Sequence, residues 1–413
     1  MMTRLERFRS YMARLNPAGS ALKAVRDGLY VPRPGRSAAD EIAARLELDP
    51  TSSHLIVGGI GSGKTTQLLI TRDRLAELPD THAEYIDVAD MHDLTQLRPG
   101  ILIVLAGLAL SRLVDKPKDN ATRSALRQFR RWADGELERI EVDPRDHGWE
   151  PDEPDYDYDG PLYEVIEHKP LLVPPEKPIE ASVQHKASLL SHLRTAASVR
   201  APHVVLLFDS LDRLSEPSVF AAVVEEDVRA IQRTGVGLAL VGPLASMYGS
   251  HRSVTDHFQH FYLQGAVDVR SDAAGRAFVV DLLRHRASAD LLPDTSAARL
   301  AEWSGGVLRD LIALARAAGE EAYMRGAELV EEEHVNTAAD TFGRQLVFGL
   351  GASEIEVLRR VAAKGNFVQT SDRDVALLVT RRILEYPSGS PRFAVHPTVV
   401  PLLHQLEPLQ VAS

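Results

Sequence analysis

The sequence predicts an α/β chain: a parallel sheet flanked by helices, followed by an all-helical region and a small helix-plus-hairpin unit. Three observations lead there. Compact apolar strands alternate with helical stretches in the first part of the 413 residues, the pattern of a layered sheet. A glycine-rich turn, Gly58–Thr65, joins one such strand to a helix. From Ala273 onward the pattern turns helical and closes on two short strands.

Leu5 to Tyr30 alternates apolar and basic residues and reads as one or two short helices. Tyr30–Gly35 (YVPRPG) is an extended link, and Ser37 to Asp40 leads into a short helix, EIAARLEL. His54–Val57 is a buried strand, and a helix runs from Lys64 to about Glu77, where Pro79 stops it. Glu84–Val88 is a second strand, Asp90–Leu97 a loop or short helix, and Ile101–Val114 a helix. The apolar run Ile101–Leu110 is too short to span a bilayer. A helix at Ile179–Val199 precedes the strand His203–Asp209 (HVVLLFD), whose unbroken apolar character fits a parallel sheet. Phe220–Arg233 is helical, and Gly235–Gly242 and Gln259–Gly265 are further strands. Helices follow at Ala273–His285, Ser296–Trp303, Val307–Arg325 and Glu331–Gly343. Two more, Ala352–Lys364 and Asp372–Leu384, precede two short strands around Ser388-Gly389-Ser390, an order that suggests a winged-helix unit.

With 44% hydrophobic and 25% charged residues the chain suits two or three domains with real cores. It has no cysteine, which excludes disulfides, thiolate metal sites and cysteine nucleophiles. Met1–Tyr11 is arginine-rich but has no apolar stretch of a secretory signal, so the expected setting is cytoplasmic, without a membrane span. The formal net charge is -11, and Asp134–Asp159 alone holds 12 acidic and 2 basic residues. Met1–Arg36 holds 8 basic and 2 acidic residues. The overall acidity therefore belongs to one proline-rich stretch, read as loosely ordered or as an ordered acidic flap carrying Tyr156, Tyr158 and Tyr163. The expected divisions are a basic helical N-terminal segment (1–36), a core (37–270) interrupted by an acidic insert (115–180), a helical lid (271–345) and a winged-helix-like unit (346–413).

Gly58, Gly59, Ile60, Gly61, Ser62, Gly63, Lys64 and Thr65 match the P-loop pattern in full. Its glycines let backbone N–H groups converge on phosphates, and the following helix points its positive end at them. Lys64 would reach the β- and γ-phosphates, Thr65 would offer its hydroxyl to Mg²⁺, and Thr66 is a further polar contact. The fold class is thus a P-loop nucleoside triphosphatase sheet. Asp209 ends the strand His203–Asp209, at the edge where such sheets bind ligands, and is the candidate holder of the metal. Asp212 and Glu216 are candidates to polarise water.

These motifs resemble P-loop ATPases of the AAA+ and STAND superfamilies, of the origin-recognition-like and KAP-like kinds. The resemblance runs from about Tyr30 to the C-terminus, less the insert. It implies ATP and Mg²⁺ as cofactors and an oligomer as the working form. In the commonest AAA+ form a glutamate follows the strand-end aspartate; here Ser210 stands there. The D-x-x-D-R variant fits Asp209, Asp212 and Arg213 better, giving Asp212 a catalytic or switch role. Where such ATPases carry a polar sensor, this chain has Gly242-Pro243, with Ser246 a weak substitute. Arg252 is the candidate to reach a neighbouring subunit's γ-phosphate, with Arg229 and Arg233 behind it. Gly306-x-x-Arg309 matches the second sensor, and Tyr30, Val31 and Pro32 match the segment that touches the base.

Three functions stand open on the sequence. The first is an ATP-driven oligomeric switch or motor, which the resemblance associates with antiviral defence or mobile elements. The second is a DNA-binding initiator or loader. Against it, Gly351–Ser413 carries 7 basic and 6 acidic residues, a weak footprint for DNA. The third is a nucleotide-gated scaffold with slow hydrolysis, favoured by Ser210. The N-terminal arginines Arg4, Arg7, Arg9 and Arg14, the acidic insert and the winged-helix-like unit are candidate surfaces for a protein partner, the first also for nucleic acid or the insert.

Overall fold

The computed structural model describes residues 3–16, 21–115, 117, 119–133, 182–387 and 392–405. The acidic stretch Asp134–Asp159 and the turn Ser388–Ser390 lie outside them.

Five strands form one parallel sheet: β1 (Ser53–Val57), β2 (Thr81–Asp87), β3 (His203–Asp209), β4 (Gly237–Val241) and β5 (His260–Leu263). Their order is β2-β3-β4-β1-β5. Both faces are covered, as an all-parallel sheet requires. Val204, Leu206 and Phe208 of β3 enter one apolar cluster, while Val205 and Leu207 enter another with Ile56 and Leu68. β2 starts at Thr81, three residues before the expected Glu84, because it pairs along all of β3. That register sets Asp87 beside Asp209, so the carboxyl ends of β2 and β3 lie together.

The helix Ile101–Ser111 is buried on nearly every side and is packed by the helices Asn120–Ala133 and Val183–Ala197. The helix Asn120–Ala133 falls in the stretch read as insert, yet Ala125, Leu126, Phe129 and Trp132 belong to the core. Its apolar stripe is hidden in the sequence among four arginines. Phe129 lies flat on Gly107, where an added Cβ would come within 2.2 Å of the ring. A remote carboxylate caps the 101–111 helix. Asp227 accepts from Gly100 N at 2.5 Å and Leu102 N at 2.9 Å.

Four helices, Ala273–Arg284, Asp294–Ser304, Leu308–Met324 and Glu332–Val347, share a second core. The N-terminal helix Arg4–Arg14 docks on it through Phe8 and Tyr11, whose hydroxyl donates to Ala315 O at 2.7 Å. Arg4, Arg7 and Arg14 donate to Tyr323 O, Asp290 O and His285 O. These arginines are engaged within the chain.

The C-terminal unit corrects one expectation. The helix read as Asp372–Leu384 ends at Val379, and Ile383–Tyr386 is a strand, β6, paired antiparallel with β7 (Arg392–Val395). Arg381 breaks the helix with a left-handed backbone (φ 64°). The unit is seated on the body by Ala266 N donating to Glu385 O at 3.0 Å, Tyr386 OH to Gly305 O at 2.8 Å, and an Arg392–Asp268 ion pair at 2.7 Å.

Asp227 is fully buried, and burial pushes its carboxyl up to about 7 against the backbone bonds and Lys186 that pull it down. Asp227→Ala leaves two buried N–H groups without acceptors and Lys186 without its nearest counter-charge. The expected loss is about 3 kcal/mol in urea unfolding. The folded pKa lies above the ordinary 3.8, so the group's stabilising contribution is complete below that value and lost as pH rises through about 7. The variant is expected to flatten stability against pH across that window.

Candidate phosphate-binding site

The chain leaves β1 at Val57 and turns through Gly58–Gly63 into the helix Lys64–Leu75. Gly61 and Gly63 are left-handed (φ 79° and 92°), which glycine alone adopts without strain. Gly58 has no room for a side chain, since a Cβ would stand 2.0 Å from Gln264 O. No side chain caps the 64–75 helix, so its first N–H groups remain a positive end facing the loop.

Lys64 is 4% exposed and lies along the floor of the loop. Its Nζ donates to Gly58 O at 2.9 Å and Gly59 O at 3.0 Å, and pairs with Asp212 Oδ2 at 2.9 Å. The Thr65 side chain is turned toward Asp209 and helps hold its carboxyl down. Asp209 accepts from Tyr85 OH at 2.8 Å and from Ser210 N at 2.8 Å. Burial raises the Asp209 carboxyl above its ordinary value, and these donors oppose the rise. Its charge does the reverse to Tyr85, whose hydroxyl is pushed up by burial and then by Asp209. Thr65 and Asp209 together offer hard oxygen ligands at one place, the donor type that suits Mg²⁺. Ser62 Oγ is buried in the loop near Gly58 with no hydrogen-bond partner.

The start of the 308–324 helix rests on the loop. Arg309 N donates to Gly61 O at 3.4 Å, and Val307 and Leu308 contact Gly61 and Gly63. Partial burial and the nearby Arg381 lower the Arg309 pKa from its ordinary value, while Asp310 and Asp212 act the other way. The link from the N-terminus threads the same seam. Tyr30 is half-buried near the Gln67 side chain, and Val31 packs on the core of the 273–347 helices.

The structure thus brings Tyr30, Val31, the Gly58–Thr66 loop, Asp209, Asp212 and Arg309 to one place. It does not bring Arg252 there within the chain. Arg252 is exposed on the short turns Gly249–His257, lining an open cleft of about 720 Å³ with Tyr248, Asp256, Phe261 and Glu385. Ser246 is buried and donates to Pro243 O at 2.6 Å, so its hydroxyl is spent locally.

Four residues at the site were missed from the sequence. Arg33 Nη2 donates to Ser62 O, and burial holds its guanidinium down at about 10. Gln264 Nε2 donates to the same carbonyl at 2.9 Å. Tyr85 reaches Asp209 across the β2–β3 pair, and Arg381 lines a small cavity beside Gly59 and Ser62. Only Arg33 had a local signal, its place in the link beside Tyr30.

No protein-family model and no curated protein matches the sequence. Among solved structures, the chain is similar to Cdc6p from Pyrobaculum aerophilum at 11% identity and a TM-score of 0.43, covering 95% of this chain and 98% of that one. An Orc1 protein from Aeropyrum pernix, solved in complex with DNA, shares 15% identity at a TM-score of 0.41, covering 95% and 96%. The RuvB Holliday junction branch migration motor of Thermotoga maritima shares 14% at 0.40, covering 92% and 99%. No helix among the described residues is long and apolar enough to cross a membrane.

Gly61→Ala tests the seam. The new Cβ would fall 2.5 Å from Arg309 Cβ on a left-handed backbone. A loss of about 2 kcal/mol is expected in thermal or urea unfolding. Gly59→Ala, whose Cβ meets nothing within 4 Å, is expected to fold like the wild type.

Proposed function

We propose that the chain is an AAA+/STAND-like P-loop ATPase that binds MgATP in the Gly58–Thr66 loop and works as a nucleotide-controlled oligomeric switch or motor. The observation that carries this reading is the glycine loop after β1, which leads into an uncapped helix start and holds a buried Lys64 paired with Asp212 at 2.9 Å, next to the β3 end where Asp209 lies. Mg²⁺, once bound, neutralises charge on the β- and γ-phosphates. Lys64 exchanges Asp212 for phosphate oxygens, and backbone N–H groups of the loop hold the remainder. Arg309, carried on the lid helix, adds positive charge over the loop, while Tyr30 and Val31 flank the base. Asp212, once released by Lys64, orients the attacking water. Arg252, exposed and remote from its own loop, is the group a neighbouring copy offers. A cytoplasmic setting, and a role in defence or mobile-element systems, belong to the same reading.

A second reading has two observations in its favour. Asp212 is committed to Lys64 at 2.9 Å, and Ser210 rather than a glutamate follows Asp209. Both favour a scaffold that binds ATP tightly and turns it over slowly. The DNA-binding loader has less support. Arg381 and Arg392 pair with Asp310 and Asp268, and Arg382 donates to Leu346 O. Three of the unit's seven basic side chains therefore point into the protein.

Equilibrium binding of a fluorescent ATP, with phosphate release followed in parallel, tests the proposal. Lys64→Ala is expected to weaken binding about a hundredfold or more, the scale of losing charge-assisted phosphate contacts. Unchanged binding in that variant rejects the site. A mixing assay tests Arg252. Arg252→Ala and Lys64→Ala chains, each inactive alone, are expected to recover turnover when combined, because one supplies the site and the other the arginine. If Arg252→Ala alone keeps the turnover of the wild type, the arginine has no such role.

A further inference from the structure

The C-terminal unit touches the phosphate loop. A cavity of about 30 Å³ lies between them, lined by Gly59, Ile60 and Ser62 on one side and by Leu378, Arg381 and Ile383 on the other. That is room for ordered water, not for a phosphate group. Arg381 is the basic residue of this lining. Its left-handed backbone is shared, among described non-glycine residues, only with Ser210 beside Asp209. Such strain persists only where the surroundings enforce it, and it collects at functional sites.

The enforcing contact is specific. Arg381 Nη1 donates to Asp310 Oδ1 at 2.5 Å, and Asp310 is 1% exposed. Asp310 follows Arg309 directly, at the start of the helix that rests on the loop. Neither Arg381 Nε nor Asp310 Oδ2 has a hydrogen-bond partner, although both are buried. His396 is fully buried, with Nε2 3.5 Å from Asp310 Oδ2. Thr398 N donates to His396 Nδ1, so in the neutral ring Nε2 carries the hydrogen and faces the carboxylate.

We propose that Arg381 is a triphosphate-contacting residue supplied in cis by the C-terminal unit, held by Asp310 until the terminal phosphate of a bound nucleotide takes its place. The inference rests on the ATP site proposed above and names its regulation. A guanidinium presents a planar fork that matches phosphate oxygens, and the unpartnered Nε is a donor not yet committed. A buried carboxylate stripped of its cation is costly. His396 is placed to limit that cost by closing on Oδ2 when Arg381 leaves. A diphosphate has no terminal group to draw Arg381 away, so the arginine stays on Asp310. The seating of the C-terminal unit thereby distinguishes ATP from ADP, and Asp310 passes the difference to Arg309 next to it.

The test uses the full chain with fluorescent ADP and a fluorescent non-hydrolysable ATP analogue. The wild type is expected to bind the triphosphate more tightly than the diphosphate. Arg381→Ala is expected to lose about tenfold in triphosphate affinity, with diphosphate affinity unchanged within about twofold. Arg381→Lys keeps the charge on Asp310 but loses the fork, and is expected to fall between. Hydrogen exchange in the wild type should differ between the two nucleotides over residues 352–386. Thermal unfolding without nucleotide reports whether each variant is folded; if Arg381→Ala is not, Arg381→Lys and the exchange data decide. A wild type that binds neither nucleotide overturns the ATP site and this inference with it. A wild type that binds both, with discrimination unchanged in folded Arg381 variants and identical exchange over 352–386, overturns the inference alone.

Discussion

Asp209, at the end of β3 with the Thr65 side chain turned toward it, is the buried charge that the surrounding structure is arranged to hold. Asp209 is 2% exposed, and a carboxylate that deep needs donors. β2 brings Tyr85, the loop brings Thr65, and the backbone of Ser210 supplies the third. The strand order makes this possible. β4 lies between β1 and β3, so the loop leaving β1 is two strand spacings, about 10 Å, from the Asp209 end. Ser210 takes a left-handed backbone (φ 70°) there, a local cost on the order of 1 kcal/mol.

The same requirement governs the cations. Lys64 is as buried as the aspartate and is neutralised by Asp212 and two loop carbonyls. Arg33 is held by Ser62 O and Arg381 by Asp310. Buried pairs of this kind add little net stability, because desolvation cancels much of the attraction, but removing either partner is expensive. They therefore fix geometry more than they raise stability. In the ATP site proposed above they would also set the terms of binding: an incoming phosphate must be a better acceptor than the oxygen each cation already has. A triphosphate carries enough charge to meet that condition at several positions at once, and a single phosphate does not.

What could be read from the sequence was local. The glycine-rich turn after β1, the apolar strand ending in Asp209 and the Gly306–Arg309 turn each lie within a few residues of sequence. Contacts made across strands left no local trace. Tyr85 looks like an ordinary strand residue until the β2–β3 register puts it against Asp209, and Gln264 meets Ser62 only because β5 pairs with β1. The helix Asn120–Ala133 was hidden because its four core residues are outnumbered by polar neighbours. The first half of β6 reads as helix because Ile383-Leu384 continues the apolar run of the preceding helix. Only the backbone of Arg381 separates the two elements.

Charge was the least legible property, since a sum carries no direction. The N-terminal arginines read as a free basic surface, yet Arg4 and Arg14 donate to carbonyls at the ends of the 308–324 and 273–284 helices. Those ends carry partial negative charge, which makes them natural seats for cations. The consequence reaches the site. The helix Arg4–Arg14 is fastened to the 273–347 helices, and the link that follows places Val31 on their core, Tyr30 near Gln67 and Arg33 on the loop. From the other end of the chain, Tyr386 and Arg381 grip Gly305 and Asp310, on either side of Arg309's turn. Segments from both ends of the chain therefore converge on the seam between lid and phosphate loop. A displacement of that seam cannot stay local, because it pulls on the N-terminal link and the C-terminal unit together.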